Sequence, residues 1–294
     1  MSVAEDIVRI RALPCWSGPV DPEPLTGGIT NRNYRLRDTH GTRVVCLGDD
    51  IPVHGILRFN ELAASRAAAA AGISPAVLHA EPGVLVLDFI HGQTLRPEDV
   101  RDAARLPRIA ALLRRVHTEV VSHLRGPVLA FWVFQVLRDY AIELQQQRSP
   151  HAPVLTTLLA RGEQLERDVG PVDIVFSHND LLAANLIDDG TRLWLIDWDY
   201  AGFNSPLFDL GGVASNNDLD ATQTQSLLEA YYGTVDTTLL RRFSAMRCAS
   251  LIRETLWSMV SEIHSTLDFD YAAYTATNLQ RAESAWQDHR RDYG

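Results

Sequence analysis

The chain has 294 residues, of which 46% are hydrophobic and 22% are charged, and its formal net charge is −10. This length exceeds the usual size of a single domain, so we expect two lobes or two domains. The acidic balance argues against nucleic acid and anionic membrane surfaces as partners, because both bind through a basic face.

Export signals and paired cysteines are not evident in the sequence. No apolar run reaches the length of a membrane span, and the stretch MSVAEDIVRIR is too charged for a signal peptide. Cys15, Cys46 and Cys248 are odd in number and far apart, which favours reduced thiols over disulfides or a zinc site. We therefore expect a cytoplasmic protein.

A glycine-rich segment follows a short predicted helix within the first 20 residues. The segment LTGGITNRNYRLRD ends in the alternating pattern of a strand, and residues 34–37 are predicted to pair with 42–47. Its candidate phosphate-binding residues are Gly27, Gly28, Thr30, Asn31 and Asn33. Glycine lets a backbone approach phosphate oxygens closely, and small polar side chains add hydrogen-bond donors. The segment predicts a phosphate-covering hairpin that is not a Walker motif, because G-x-x-x-x-G-K-[ST] does not occur in the sequence.

An alanine-rich helix and two more strands are predicted next. Glu61 begins the helix ELAASRAAAAAG, and Gly72 is expected just beyond its end. Further strands are predicted at 77–78 and 83–90. After residue 92 the pattern changes from strands to helices, so we predict one lobe over 1–91 and a second over 92–294.

The second part of the chain is predicted to be mainly helical. One helix starts at Pro97 and continues through an apolar stripe to Val116. Others are predicted at 131–147, 154–168, 222–232, 237–264 and 270–289. His117 adjoins the apolar stripe, and a core histidine is favoured over a catalytic one because no acid–base role is left unfilled.

The chemistry is expected within residues 176–212, where Asp180, Asn185 and Asp197 recur. Apolar runs at 172–176 and 193–196 predict two strands, and the turn signal at 188–190 folds the second run antiparallel beside the first, bringing Asp197 close to Asn185. A carboxylate and an amide oxygen suit Mg²⁺, which takes its other ligands from water and phosphates. Asp180 is left to act on a hydroxyl.

The pattern His178-x-Asp180-x-x-x-x-Asn185 resembles the catalytic loop of protein kinases, and Asp197 resembles their magnesium aspartate. With residues 198–200 and Phe208-Asp209-Leu210-Gly211, the stretch is similar to choline/ethanolamine kinases and, more distantly, to aminoglycoside phosphotransferases. The resemblance covers most of the chain. It implies an α+β, bilobal protein-kinase-like fold with a small antiparallel-sheet N-lobe and a mainly helical C-lobe.

The resemblance also implies where ATP binds. Backbone groups near Asp88 and Ile90 would contact the adenine. Cys46 stands where relatives carry a basic residue for the nucleotide phosphates, and Glu61 is the helix glutamate that would pair with that base. Arg58, one helical turn before Glu61, is the candidate replacement that either pairs with Glu61 or reaches the phosphates.

The acceptor site is implied by residues 254–274, which resemble the C-terminal segment of choline kinases. A quaternary ammonium group is held by aromatic faces and nearby carboxylates. The candidates are Trp257, Phe269, Tyr271 and Tyr274, with Asp199 or Asp180 supplying charge. Residues 215–217 lack an acid that choline kinases often present after the Asp-Leu-Gly element.

We therefore expect an ATP- and Mg²⁺-dependent phosphotransferase acting on a small amino alcohol, with choline first and ethanolamine next. Two alternatives stay open: a kinase of another small hydroxyl compound such as an aminoglycoside, and a nucleotide-binding regulator with weak or no transfer activity. Whether the protein forms a homodimer also stays open.

Overall fold

The computed structural model describes residues 2–25, 31–267 and 269–294. Three of the predicted phosphate-binding residues, Gly27, Gly28 and Thr30, lie outside the described residues. No helix within the described ranges is long and apolar enough to cross a membrane.

The first part of the chain forms a five-stranded antiparallel sheet in the order β1-β2-β3-β5-β4. The strands are β1 (Glu23–Leu25), β2 (Arg32–Asp38), β3 (Gly41–Leu47), β4 (Val77–Glu81) and β5 (Val84–Asp88). In the β2–β3 pair Tyr34 lies opposite Val45 and Asn33 opposite Cys46, which confirms the predicted pairing of residues 34–37 with 42–47.

The two faces of this sheet have different neighbours. Val45 and Leu47 of β3 are buried with Ile10 of helix α1 (Val3–Arg11) in a small apolar core. Successive side chains of a strand point to opposite faces, so Cys46 points away from that core. It points toward helix α2 (Arg58–Ala70), because residues of α2, β3 and β5 line one cavity on that side.

Helix α2 begins three residues earlier than the predicted start at Glu61. Asp50 explains the difference, because its side chain accepts the Arg58 N–H at 2.7 Å and thereby satisfies an otherwise free donor of the first turn. Gly72 has a φ of +67° just past the end of α2, as the sequence predicts for a residue at this position.

The second part of the chain is mainly helical. Its helices are α3 (Pro97–Val100), α4 (Leu106–His123), α5 (Val133–Gln146), α6 (Ala152–Val169), α7 (Pro206–Asn216), α8 (Ala221–Tyr232), α9 (Thr237–His264) and α10 (Tyr271–Tyr293). The single helix predicted from Pro97 is wrong, since α3 and α4 are separate. Between them the Asp102 side chain accepts the Ala104 N–H at 3.0 Å, a local turn that competes with helical hydrogen bonding.

Short strands support the catalytic stretch: β6 (Gln93–Thr94), β7 (Val175–Ser177), β8 (Leu186–Asp188), β9 (Leu193–Leu195) and β10 (Gly202–Asn204). The predicted pairing of the runs at 172–176 and 193–196 is wrong. Instead β9 pairs with β8, while β7 pairs with β10. The turn signal at 188–190 joins only the strands that flank it directly, and the strand before it is β8. Helix α7 was also not predicted, although Ser205 caps it and Pro206 begins it.

Most of the apolar core lies among the helices of the second part. Ile56, from the segment between β3 and α2, is fully buried in this core, and Ile51 and Val53 pack against it. A segment of the sheet-containing part therefore packs into the helical part. The lobe boundary near residue 92 stays a prediction.

Candidate active site

The catalytic loop lies between β7 and β8 and is tied to the end of β9 by His178. The His178 ring donates from Nε2 to the Ile196 carbonyl oxygen at 2.9 Å, while Nδ1 accepts the Asp180 N–H at 3.3 Å. These two bonds are mutually consistent because a neutral imidazole has one donor and one acceptor nitrogen. His178 thus fixes the Asp180 backbone relative to the residue before Asp197.

Asp209 of α7 fixes the same loop through hydrogen bonds to its backbone. Its carboxylate accepts the backbone N–H groups of His178 at 3.0 Å and Asn179 at 2.8 Å, and the His117 ring contacts it at 2.9 Å. Burial alone would raise the pKa of Asp209, but the hydrogen bond from His117 lowers it. His117 is therefore a buried structural histidine. The sequence reading noted the Asp-Leu-Gly element but missed that its aspartate supports the loop.

Asp180, Asn185 and Asp197 are brought together as predicted. The Asn185 Nδ2 donates to the Asp180 carbonyl oxygen at 2.9 Å and to Asp180 Oδ2 at 3.4 Å, so the Asn185 amide oxygen points elsewhere. The Ile196 N–H donates to the Asn185 carbonyl oxygen at 3.0 Å, which sets Asp197 next to Asn185. Asp197 has a φ of +67°, an uncommon backbone conformation for an aspartate and one often found at functional sites.

The electrostatics of this group favour a bound cation. Burial raises the pKa of Asp180 to about 7, although the positive charge of Arg253 opposes this rise. Burial, followed by the charges of Asp199 and Asp180, raises the pKa of Asp197 well above its usual value. Carboxylates that resist ionisation in a dry site are stabilised by a cation among them.

The donor set suits Mg²⁺. Within the described residues, no group of three or more His, Cys, Asp or Glu side chains is arranged to hold a metal by itself. That result agrees with Mg²⁺ chemistry, because this ion usually takes one or two carboxylates and completes its shell with water and phosphate oxygens. Asp197 and the Asn185 amide oxygen are the ligands that the chain offers.

Arg58 lines the same cavity as Cys46, the β3 position at which the resemblance implies a basic residue. Its Nη1 binds Glu61 Oε2 at 2.8 Å and Asp199 Oδ1 at 2.7 Å, and its Nε donates to the Asp49 carbonyl oxygen at 2.9 Å. Burial and the nearby charge of Glu61 raise the pKa of the Cys46 thiol well above its usual value, so residue 46 is uncharged. Arg58 was predicted either to pair with Glu61 or to reach the phosphates, and the structure shows the pairing with Glu61.

A cavity of about 340 Å³ lies beside this arginine, between β3, β5 and α2. Asn31, Cys46, Gly48, Arg58 and Glu61 are among the residues that line it. Arg58 Nη2 and Asn31 Oδ1 are buried and have no hydrogen-bond partner in the described part of the chain. The Asn31 Nδ2 donates to Asp199 Oδ2 at 3.4 Å. Two buried polar atoms without partners next to a cavity mark a place where a polar ligand group fits.

The remaining predicted nucleotide residues lie along β2 and β5. Asn33 lies opposite Cys46, and its Oδ1 is buried without a hydrogen-bond partner among the described residues. At the crossing between the two parts, the Asp88 N–H donates to the Ala76 carbonyl oxygen at 3.0 Å. Because this donor is already used within the protein, adenine contacts at the crossing would involve the backbone nearer Ile90.

The four predicted acceptor aromatics form one cluster between α9 and α10. Trp257 is buried, its Nε1 donates to Tyr200 Oη at 2.8 Å, and its ring centroid lies 6.1 Å from Tyr271 and 6.4 Å from Tyr274. Phe269 is 43% exposed and packs 4.8 Å from Tyr271, so it forms the outer edge of the cluster.

Glu254, rather than Asp199, is the carboxylate next to these aromatics. Its Oε1 accepts the Tyr274 hydroxyl at 2.7 Å, and its Oε2 pairs with Arg253 at 2.9 Å. Asp199 instead binds Arg58 and Asn31 on the nucleotide side. The sequence reading did not assign Glu254, although its position three residues before Trp257 on one helix placed it on the same face.

Comparison with known proteins identifies the family. The family model described as Choline/ethanolamine kinase matches residues 23–226. The chain belongs to the choline/ethanolamine kinase family. Mouse ethanolamine kinase 2 is 28% identical to this family member over 254 residues, covering 76% of this chain and 64% of the mouse protein. The chain thus spans less than two thirds of that relative's length.

Two solved structures share the fold of this choline/ethanolamine kinase family member. A choline/ethanolamine kinase family protein from Mesorhizobium loti has 27% sequence identity and a TM-score of 0.80, with 99% of each chain covered. Choline kinase LicA from Streptococcus pneumoniae has 22% identity and a TM-score of 0.77, covering 98% of this chain and 100% of that one. The predicted kinase-like α+β fold, with an antiparallel sheet followed by a mainly helical part, is confirmed.

Proposed function

We propose that the protein transfers the γ-phosphoryl group of ATP to the hydroxyl of a small amino alcohol, choline or ethanolamine. The observation that carries the proposal is the convergence of Asp180, Asn185 and Asp197 in a chain that belongs to the choline/ethanolamine kinase family. Relatives named as ethanolamine kinase and choline kinase support the choice of acceptor class.

Asp180 accepts the proton of the acceptor hydroxyl, or orients that hydroxyl, during transfer. Its carboxylate is held by Asn185 and its backbone by His178. A neighbouring Mg²⁺ would favour the ionised carboxylate, which is the form that accepts a proton. Asn185 and Asp197 would hold Mg²⁺, which supplies neutralisation of phosphate charge when bound.

The nucleotide phosphates lie near Arg58, Asn31 and Asn33 in this proposal. Gly27, Gly28 and Thr30, which lie outside the described residues, stay predicted phosphate-binding residues. Arg58 Nη2 lies beside the cavity and has no hydrogen-bond partner among the described residues, and charge-assisted hydrogen bonds to phosphate are among the stronger ones. Glu61 holds Arg58 in place. Of the predicted adenine contacts, the backbone nearer Ile90 is favoured over Asp88, whose N–H donates to the Ala76 carbonyl oxygen.

The acceptor's ammonium group lies against the cluster of Trp257, Tyr271, Tyr274 and Phe269. Each aromatic face contributes about 0.5–2 kcal/mol to binding a desolvated cation. Glu254 adds negative charge at the cluster. An aminoglycoside is less favoured, because its many hydroxyl and amino groups require polar partners rather than aromatic faces. A cytoplasmic location and a homodimer stay predictions.

A panel of alcohols assayed by ADP release tests the proposal, with choline, ethanolamine and an aminoglycoside included. We expect turnover with choline or ethanolamine, and Asp180→Ala is expected to reduce it by about 10²–10⁴-fold while ATP binding persists. The catalytic assignment fails if Asp180→Ala keeps turnover within about threefold of the wild type, well short of the expected loss. Mg²⁺-dependent ATP binding without phosphorylated product from any alcohol would favour a regulator instead.

A further inference from the structure

The segment between β3 and α2 carries a residue of the sheet-containing part into the helical part. Ile51 and Ile56 exchange backbone hydrogen bonds of 2.8 and 3.2 Å, which closes residues 51–56 into a compact loop. Gly55 turns the loop with a φ of +71°, a conformation that favours glycine. Because Ile56 is fully buried in the helical core, the loop is fixed there and is not a mobile surface connection.

His54 lies at the tip of this loop and is held by two helices of the other part. Its Nδ1 lies 3.2 Å from Tyr140 Oη on α5, and its Nε2 lies 3.1 Å from Ser261 Oγ on α9. Only 8% of the residue is exposed. Burial, followed by the positive charge of Arg253, lowers the pKa of His54 to about 3, so the ring is neutral. Both ring nitrogens therefore have a hydroxyl partner, and the ring plane is fixed.

The fixed imidazole packs against Trp257. The two ring centroids are 5.3 Å apart with an interplanar angle of 34°. The Trp257 indole nitrogen donates to the Tyr200 hydroxyl, and the Tyr271 ring packs against the indole in a T-shaped arrangement. His54 thus supplies the contact that comes from the sheet-containing part, while the other named contacts come from the helical part.

We propose that His54 is a positioning residue of the acceptor site, which orients the Trp257 ring against the acceptor's ammonium group. This inference rests on the proposed function, in which Trp257 binds the acceptor. It goes beyond that function because residues from both the sheet-containing part and the helical part then shape the acceptor site. An aromatic face binds a cation only when the cation lies over the ring, so a rotated indole loses affinity.

The test compares Michaelis constants for ATP and for the better of choline and ethanolamine in His54→Leu, Tyr140→Phe and Ser261→Ala. Aromatic ring pairs of this kind are expected to be worth about threefold to tenfold in affinity, so His54→Leu raises the acceptor KM by that factor. Tyr140→Phe and Ser261→Ala, which each remove one hydroxyl, raise it less. The KM for ATP stays within about twofold in all three variants, because none of them touches the nucleotide side.

His289→Leu is the matched control. His289 is also buried, has a hydroxyl at Nδ1 in Ser244 and packs 6.4 Å from a tryptophan, Trp286. It lies away from the candidate site, so the control loses stability without a change in acceptor KM. If His54→Leu does not fold, as judged by thermal melting, the two hydroxyl variants carry the test.

Three results overturn the inference. The first is an acceptor KM that rises in Trp257→Ala but stays unchanged in the His54, Tyr140 and Ser261 variants, which leaves the proposed function intact. The second is an equal rise in the His289 control, which would indicate general loosening. The third is a wild type that phosphorylates no alcohol in the panel, in which case the proposed function falls as well.

Discussion

Replacing Arg58 by methionine tests how this chain compensates for the uncharged residue on β3. The substitution keeps much of the side chain's length but removes the guanidinium that binds Glu61 and Asp199. If Arg58 Nη2 also meets a phosphate oxygen, one charge-assisted hydrogen bond of about 1.5–3 kcal/mol is lost. That loss corresponds to about 10- to 100-fold in kcat/KM for ATP.

The same substitution also has a cost in stability. Asp199 is 2% exposed and Glu61 is 8% exposed in their side chains, so both carboxylates lose a buried partner. Burial, followed by the charge of Asp199, already raises the pKa of Glu61 to about 7, and we expect Glu61 to become protonated without Arg58. Removing one member of a buried ion pair costs about 3–5 kcal/mol, so urea denaturation must accompany the kinetics.

Cys46→Arg provides the rescue arm of this experiment. Cys46 and Arg58 line the same cavity, so an arginine on β3 returns a cation to it. We expect the KM for ATP to be high in the wild type, Cys46→Arg alone to lower it, and the double variant to recover part of the loss. Initial rates of ADP release and calorimetric binding of a non-hydrolysable ATP analogue measure both effects. An ATP KM in the low micromolar range that neither change alters would refute the reasoning.

Three further predictions concern the acceptor cluster, the loop and pH. Trp257→Ala is expected to raise the KM for choline far more than that for ATP; equal effects would make Trp257 a core residue only. Asp209→Ala is expected to lower kcat at least tenfold and to cost about 3 kcal/mol in stability, because it leaves the buried N–H groups of His178 and Asn179 unpaired, and an unchanged kcat would count against that. His54 has a pKa of about 3 in the folded protein, whereas in the unfolded chain its pKa is near 6.5. Below pH 6.5 the unfolded chain therefore binds a proton that the folded protein does not, so the free energy of unfolding is highest above pH 6.5 and falls as the pH drops. Between about pH 7.5 and 5.5 the wild type is expected to lose about 1.4 kcal/mol more unfolding free energy than His54→Leu, measured by urea denaturation.

Elements set by local pattern could be predicted from the sequence. The predicted helix 237–264 coincides with α9, because its length and its high content of helix-compatible apolar residues are local properties. The pairing of β7 with β10 was missed, since it joins segments across the whole catalytic loop and has no signal in either segment alone. Turn chemistry identified the turn at 188–190 but not which strand precedes it.

The candidate residues Asp180 and Asn185 could be picked out from the sequence because their spacing within one loop is itself the signal. The long-range contacts that support them could not be predicted. Arg58 meets Asp199 from 141 residues away, and His54 meets Ser261 from 207 residues away. Contacts between residues so far apart in the sequence depend on how the two parts of the chain pack together, and neither composition nor periodicity predicts that packing.

The position of Arg58 changes what its ion pair does. A basic residue on β3 paired with Glu61 would join the sheet to α2, and this ion pair would form only when α2 lies close to the sheet. In this chain both members of the Arg58–Glu61 pair lie on α2, and one of the bonds that Arg58 makes outside the helix goes to Asp199 in the helical part. Asn60 strengthens the same link, because its Nδ2 donates to the Ala201 carbonyl oxygen at 2.7 Å. Moving α2 away from the site would separate the buried Arg58–Asp199 ion pair, so we expect α2 to keep the same position with and without nucleotide.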